Sequence, residues 1–178
     1  MLSVSKLIPQ GRGLAAALRR RASTVELDWD VRQRSRFAMT DSQQRPLAVF
    51  LPRGTVVRGG DVLVAQDGSL IAVHAAAQPV MKVTHCAHHG TPFDLIRAAY
   101  HLGNRHVPIE LQPDHLKIEP DHVLADMLRA MHLVVTDVSE PFEPENGAYT
   151  GHIGGHSHGT ADHAPHGHTH GPGCDHAH

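Results

Sequence analysis

The chain has little with which to stack on bases, cross a membrane or cross-link itself. Aromatic residues make up 4% of the sequence, with a single Trp, so nucleotide bases would find few rings to stack on. Sixteen Lys and Arg against 18 Asp and Glu leave a net charge of −2, which gives no electrostatic case for nucleic acid or a membrane surface as partner. The apolar stretch at residues 14–18, followed by Arg19-Arg20-Arg21, is far short of the ~20 residues of a membrane span. Its order is also wrong for secretion, where charge precedes the apolar segment. Residues 1–22 therefore read as a short leading strand and loop. Cys86 and Cys174 are the only cysteines, too few for a disulfide framework, and point to a reducing, cytoplasmic setting. The sequence also lacks HExxH, CxxC, Walker, GxSxG and dinucleotide-binding signatures, so it is not expected to be an enzyme.

Histidine, by contrast, is abundant, with 18 in 178 residues. Nine of them, His152, His156, His158, His163, His166, His168, His170, His176 and His178, fall in a C-terminal tail beside Cys174. Beyond Tyr149 almost no apolar side chain remains to bury, so disorder is expected for residues 151–178. Unperturbed imidazole titrates near pH 6.5, leaving roughly three quarters of such rings neutral at pH 7 and able to donate a lone pair. Ni²⁺, Cu²⁺ and Zn²⁺ suit imidazole, whereas Mg²⁺ and Ca²⁺ prefer oxygen. The tail histidines are interspersed with Gly, Asp, Thr and Pro, unlike the uninterrupted run of an expression tag.

The rest divides into two rhythms. Residues 24–77 read as a small all-β domain: Val25, Leu27 and Trp29 alternate with acidic residues, residues 47–51 are apolar, and Asp67-Gly68 suits a hairpin turn between two apolar runs. Arg32, Arg34 and Arg36 at period two would line one face of a strand, either gripping an acidic partner or simply solvated. From residue 80 the order becomes strand (80–84), helix (92–102), strand (107–111), strand (116–119), helix (120–131) and strand (133–138). That βαββαβ order is the ferredoxin-like sandwich, with two helices over one face of a four-stranded sheet. Thr91-Pro92-Phe93-Asp94 starts the first helix, with Thr91 as N-cap and Pro92 at the first helical position. The fold class is thus α+β, with domains at 1–79 and 80–150 followed by the tail at 151–178.

The candidate ligands outside the tail cluster around residues 101–108. Helical spacing predicts a buried arc of Phe93, Leu95, Ile96, Ala99, Tyr100 and Leu102, with His101 exposed opposite it. On the second helix Val123, Leu124, Met127, Leu128 and Met131 form the expected buried stripe, leaving His122 exposed in the first turn. Gly103 and Asn104 are expected to close the first helix. If Val107, Ile109 and Leu111 face the helices from a strand, His106 faces the other way. There a homodimer closing over the uncovered sheet face would bring both copies of His106 to one metal. Residues His85, Cys86, His88 and His89 form a further cluster, read as either a local metal site or a polar loop.

Several segments together resemble the urease accessory protein UreE family of nickel metallochaperones. They are Asp30-Val31-Arg32-Gln33-Arg34-Ser35-Arg36 with Phe50-Leu51-Pro52-Arg53-Gly54-Thr55, residues 99–108, Asp121-His122-Val123-Leu124-Ala125-Asp126-Met127-Leu128, and Pro141-Phe142-Glu143-Pro144-Glu145 with Gly147-Ala148-Tyr149. The resemblance covers most of the chain. It implies an N-terminal domain of peptide-binding type, a ferredoxin-like metal-binding domain, and a homodimer joined through the second domain. It also implies that His106 is the central interfacial ligand, with His101 and His122 peripheral and the tail adding capacity, His152 being best placed to reach the dimer site. Some members carry a second histidine two positions before the one matching His122, where this chain has Pro120, which implies a weaker peripheral site. The expected function is delivery of Ni²⁺ as cargo, with Zn²⁺ or Cu²⁺ also able to bind. The route runs through the urease GTP-binding accessory protein to apo-urease and its other accessory proteins. A passive nickel or zinc store is the alternative, and a hydrolase using His101, His106 and His122 as a triad is a more distant one.

Overall fold

The computed structural model describes residues 2–146. The first part of the chain runs through β1 (Leu2–Ile8), a 3-10 turn (Pro9–Gly11), α1 (Ala16–Arg21), β2 (Ser23–Leu27), α2 (Trp29–Arg32), β3 (Arg36–Thr40), β4 (Pro46–Phe50), β5 (Val62–Ala65) and β6 (Leu70–Ala75). These strands form a six-stranded sheet in the order β2-β6-β5-β1-β4-β3. Strand alternation is visible in β2, where Ser23, Val25 and Leu27 are buried and Thr24 and Glu26 exposed. Val4, Leu47, Val49, Leu63, Ile71 and Val73 form its core. The Asp67-Gly68 turn joins antiparallel β5 and β6, with Gly68 at φ 82°, the left-handed conformation for which glycine has no steric cost.

Two expectations for this region fail. Residues 16–21 form a helix rather than loop, since an Ala-Leu-Arg stretch has high helix propensity. Asp28 accepts from the Val31 N–H at 2.9 Å and caps α2, so Arg32 lies on a helical turn, not in a row with Arg34 and Arg36. Arg32 is fully buried, whereas Arg34 and Arg36 are exposed.

The second part comprises β7 (Ala77–His85), α3 (Pro92–Gly103), β8 (Glu110–Leu111), β9 (Leu116–Ile118), α4 (His122–Ala130) and β10 (Leu133–Pro141). Its four strands pair antiparallel in the order β10-β7-β9-β8. The Asp94 carboxylate accepts from the Thr91 backbone N–H at 2.8 Å at the start of α3, and Asp121 accepts from Val123 and Leu124 N–H at the start of α4. Leu95, Ala98, Leu102, Ala125 and Leu128 pack on Met81, Val83, Leu116, Ile118 and Leu133. Each buried leucine contributes about 2 kcal/mol of transfer free energy.

The buried faces of the helices are narrower than their apolar arcs. Phe93, Ile96 and Tyr100 on α3 are 62%, 63% and 67% exposed, and Val123 on α4 is 62% exposed. A two-layer unit this small cannot cover so wide an arc. The expected strand at 107–111 shortens to Glu110–Leu111. Val107 and Ile109 still pack into the core, but Leu111 is exposed.

The other face of the second sheet is not an open apolar seat. Val80 and Val138 pack under Trp29 and Phe142. Beside them Lys117 Nζ lies 3.1 Å from both Glu110 and Glu140, and Lys82 pairs with Glu140 at 3.6 Å. Desolvation would pull the Lys117 pKa down, but the hydrogen bonds its ammonium donates to Glu110 and Glu140 outweigh it and raise it. Among the described residues no helix is long and apolar enough to cross a membrane.

Candidate metal centre

His106 sits in a turn rather than on a strand, with φ 57°. Its N–H donates to Gly103 O at 2.9 Å, and the Val107 N–H donates to Leu102 O at 3.2 Å. Those two bonds make a Schellman closure of α3 with His106 in the left-handed position normally taken by glycine, and with Val107 returning to the core beside Leu102. Asn104 is the C-cap but has right-handed helical angles, and Gly103 is helical, so the left-handed closing residue is neither of them. A non-glycine residue here costs about 1–2 kcal/mol. The closure leaves the imidazole exposed, off the sheet face on which it was expected.

His101 lies in the last turn of α3, half-buried, its ring edge-on to Tyr100 with centroids 5.4 Å apart. The Arg105 guanidinium donates to the His101 carbonyl at 3.0 Å, tying down the same turn. His122 is exposed as the first residue of α4. Among the described residues no group of three or more His, Cys, Asp or Glu side chains is gathered closely enough to hold a metal ion. His101, His106 and His122 thus do not form one metal-holding group within a chain, the arrangement that the triad alternative requires. The candidates His152, His156, His158, His163, His166, His168, His170, His176 and His178 lie outside the described residues.

The segment that precedes residue 147 is tied to Ile109 and Glu110, shortly after His106 in the chain. The Glu145 N–H donates to Ile109 O at 2.8 Å, and the Glu143 N–H donates to Glu110 Oε2 at 2.7 Å. Glu143 also accepts from Arg32 at 2.7 Å, Arg58 at 3.1 Å and the Gly59 N–H at 2.8 Å. The Arg32 and Arg58 guanidinium carbons lie 5.5 and 5.0 Å from the Trp29 ring centroid. Period-two spacing puts Arg32 on a strand face with Arg34 and Arg36, and nothing in the local pattern signals that Arg32 turns inward to meet position 143.

The 85–89 cluster is a tight turn. Cys86 Sγ lies 3.2 Å from His89 Nδ1, and backbone N–H groups of His88, then His89 and Gly90, hold the Cys86 thiol below its ordinary pKa.

The two parts of the chain match two family models. Residues 4–76 match the UreE urease accessory protein N-terminal domain and residues 78–178 the C-terminal domain of the same protein. The chain belongs to the UreE urease accessory protein family. It is 74% identical over 178 residues to the urease accessory protein UreE of Albidiferax ferrireducens, covering 100% of both chains. It is 73% identical to that of Paracidovorax citrulli over 88% of this chain and 73% of the relative, and 52% identical to that of Ralstonia nicotianae over 89% and 72%. Family membership implies a role in urease maturation. The family is named for an accessory protein rather than a catalyst.

Proposed function

We propose that the protein is a cytoplasmic Ni²⁺ carrier acting as a homodimer through its second, ferredoxin-like domain (80–150). In this reading it passes nickel through the urease GTP-binding accessory protein to apo-urease and its other accessory proteins. The observation that carries the reading is His106, an exposed imidazole held in a strained left-handed conformation at the end of α3. Strain of this kind persists where function requires the side chain.

The position of the exposed apolar stripe supports a revised dimer geometry. Phe93, Ile96 and Tyr100 stand one to two turns apart on α3, the helix that ends at the His106 turn. A two-fold contact along this helix, rather than over the charged sheet face, would bury the stripe and set two copies of His106 near the axis. His101, on the same helix, and His122, at the start of α4, act as peripheral ligands.

The tail root supports a supplementary role for the tail. Glu145 is tied to Ile109, three positions from His106, and His152 follows Asn146 by six positions. Six extended residues reach about 20 Å, enough to return His152 to the dimer axis. Imidazole ligands at an exposed edge release metal readily, as delivery requires.

Nickel titration of the wild type, His106→Ala and a chain lacking residues 151–178, each paired with urease activation in cells, tests the reading. The carrier reading requires that His106→Ala lose the tight site and activation, while the truncated chain keeps that site and part of the activation. Unchanged affinity and activation in His106→Ala overturn it. Loss of all binding in the truncated chain favours a passive nickel or zinc store.

A further inference from the structure

A thiol and two imidazoles lie around one cavity at the opposite end of α3 from His106. The helix has 12 residues, so its ends are about 18 Å apart. Cys86, His89 and His132 line one cavity of about 390 Å³ there, together with Asp94 and Arg97. Three separate features of the fold bring them together.

The first is the 86–90 turn. The Gly90 N–H donates to Cys86 O at 2.8 Å, and a Cβ on Gly90 would fall 2.6 Å from Cys86 N. The turn therefore has no room for a side chain at position 90 and holds Cys86 and His89 in one arrangement, with Sγ 3.2 Å from Nδ1.

The second is the β7–β10 ladder. Leu133 pairs with His85 as the last rung, so Cys86 and His132 each stand one residue beyond the same end of the ladder.

The third is the backbone of His132 itself. It closes α4 at φ 64°, with its N–H donating to Arg129 O at 2.9 Å. Glycine or asparagine would fill this position with less strain, yet an imidazole stands there and lines the cavity.

The two charged neighbours do not compete for the site. The Asp94 carboxylate is engaged by the Thr91 N–H and hydroxyl at 2.8 and 3.2 Å, and Arg97 lies 3.8 Å from Asp94. The remaining metal-ligating groups of the lining are the Cys86 sulfur and the imidazoles of His89 and His132.

We propose that Cys86, His89 and His132 form a second metal site, separate from the carrier histidines, for a thiophilic divalent ion of the Zn²⁺ class. Cys86 and His89 are already paired, and rotation of the His132 side chain completes a Cys-His-His set with a fourth position open to water. One thiolate and two imidazoles with an open position suit tetrahedral Zn²⁺ or Co²⁺. Binding exchanges the thiol proton for a metal–sulfur bond, releasing one proton to solvent.

Co²⁺ titration followed by absorption tests the site, because thiolate-to-cobalt charge transfer reports sulfur ligation against any number of imidazole-bound ions. The full chain carrying Cys174→Ser removes the tail thiol, so any band in it belongs to Cys86. This variant shows the band, and His106→Ala added to it leaves the band unchanged, which separates the site from the carrier reading. Adding His89→Ala or His132→Asn, the latter chosen because asparagine tolerates the left-handed backbone, raises the half-saturating Co²⁺ concentration about tenfold or more. Loss of an outer-shell partner alone costs about 10–100-fold in affinity. Absence of the band in Cys174→Ser, or a midpoint unmoved by either histidine substitution, overturns the proposal.

Discussion

Arg32 and Glu143, 111 positions apart, meet at 2.7 Å between Nη1 and Oε1. The Arg32 guanidinium also donates to Leu27 O at 3.0 Å and Phe142 O at 2.6 Å. One buried side chain thereby ties the end of β2 to the segment that leads into the tail. Replacing Arg32 with Met leaves the Phe142 carbonyl without its donor, whereas the Ala76 N–H still reaches Leu27 O at 2.9 Å, and Arg58 and Gly59 still hold Glu143. Urea unfolding is expected to show a loss of about 3 kcal/mol. Arg32→Lys fails to restore it, since an ammonium cannot reproduce the planar fork. Stability within 1 kcal/mol of the wild type in Arg32→Met would show that the contact carries no weight.

The left-handed conformation of His106 sets stability against metal binding. Glycine at this position removes the steric strain, so His106→Gly is expected to be about 1 kcal/mol more stable than the wild type. The same substitution removes the proposed nickel ligand. His106→Ala loses the ligand but keeps the strain, and gains no stability. Thermal melts of both variants, read beside nickel titrations, check the pairing of effects.

The α3 stripe predicts how the dimer breaks. Ile96→Asp puts a carboxylate in the centre of the exposed apolar row, where burial in a two-fold contact would leave two like charges facing each other. Light scattering is expected to give a monomer, with helix and strand content unchanged by circular dichroism because Ile96 makes no core contact in the single chain. A charge placed instead on the sheet face, as in Thr136→Asp, leaves the dimer intact. Dissociation by the second variant but not the first would return the interface to the sheet.

Asp41 sets part of the acid limit. Burial would push its carboxyl pKa up, but the Arg45 N–H and guanidinium, with Ser23 and Gln43, overcome this and hold it at about 2, against an ordinary 3.8. A carboxyl with a depressed folded pKa gives stability that is present above the unfolded value and lost as pH falls through the folded one. The loss therefore falls between about pH 4 and pH 2. Asp41→Asn is less stable at pH 7 and shows a flatter acid limb in that window when unfolding is followed by fluorescence of Trp29. A parallel slope in both proteins would remove Asp41 from the acid transition.

Much of the architecture follows from local patterning. The β7-α3-β8-β9-α4-β10 order, the Thr91 start of α3 and the Asp67-Gly68 turn are written in residues within a few positions of one another, because caps and two-residue turns are satisfied locally, whereas α4 starts at His122 after the Asp121 cap rather than at residue 120. His101, His106 and His122 can be picked out as candidates in the same way, as can the histidine content of the tail.

What the tertiary structure decided depends on long-range contacts. Arg32 turned inward because a carboxylate and two carbonyls lay within its reach, one partner being 111 positions away. Helical periodicity marks apolar residues but cannot tell a core contact from an unpartnered face, so Phe93, Ile96 and Tyr100 were expected inside and stand outside. His106 was expected on a strand because alternation continues through residues 107–111. The hydrogen bonds that close α3 and return Val107 to the core instead set its backbone in the left-handed region. Cys86 and His132 meet at one cavity because the β7–β10 ladder ends at His85 and Leu133, a register that no stretch of sequence displays.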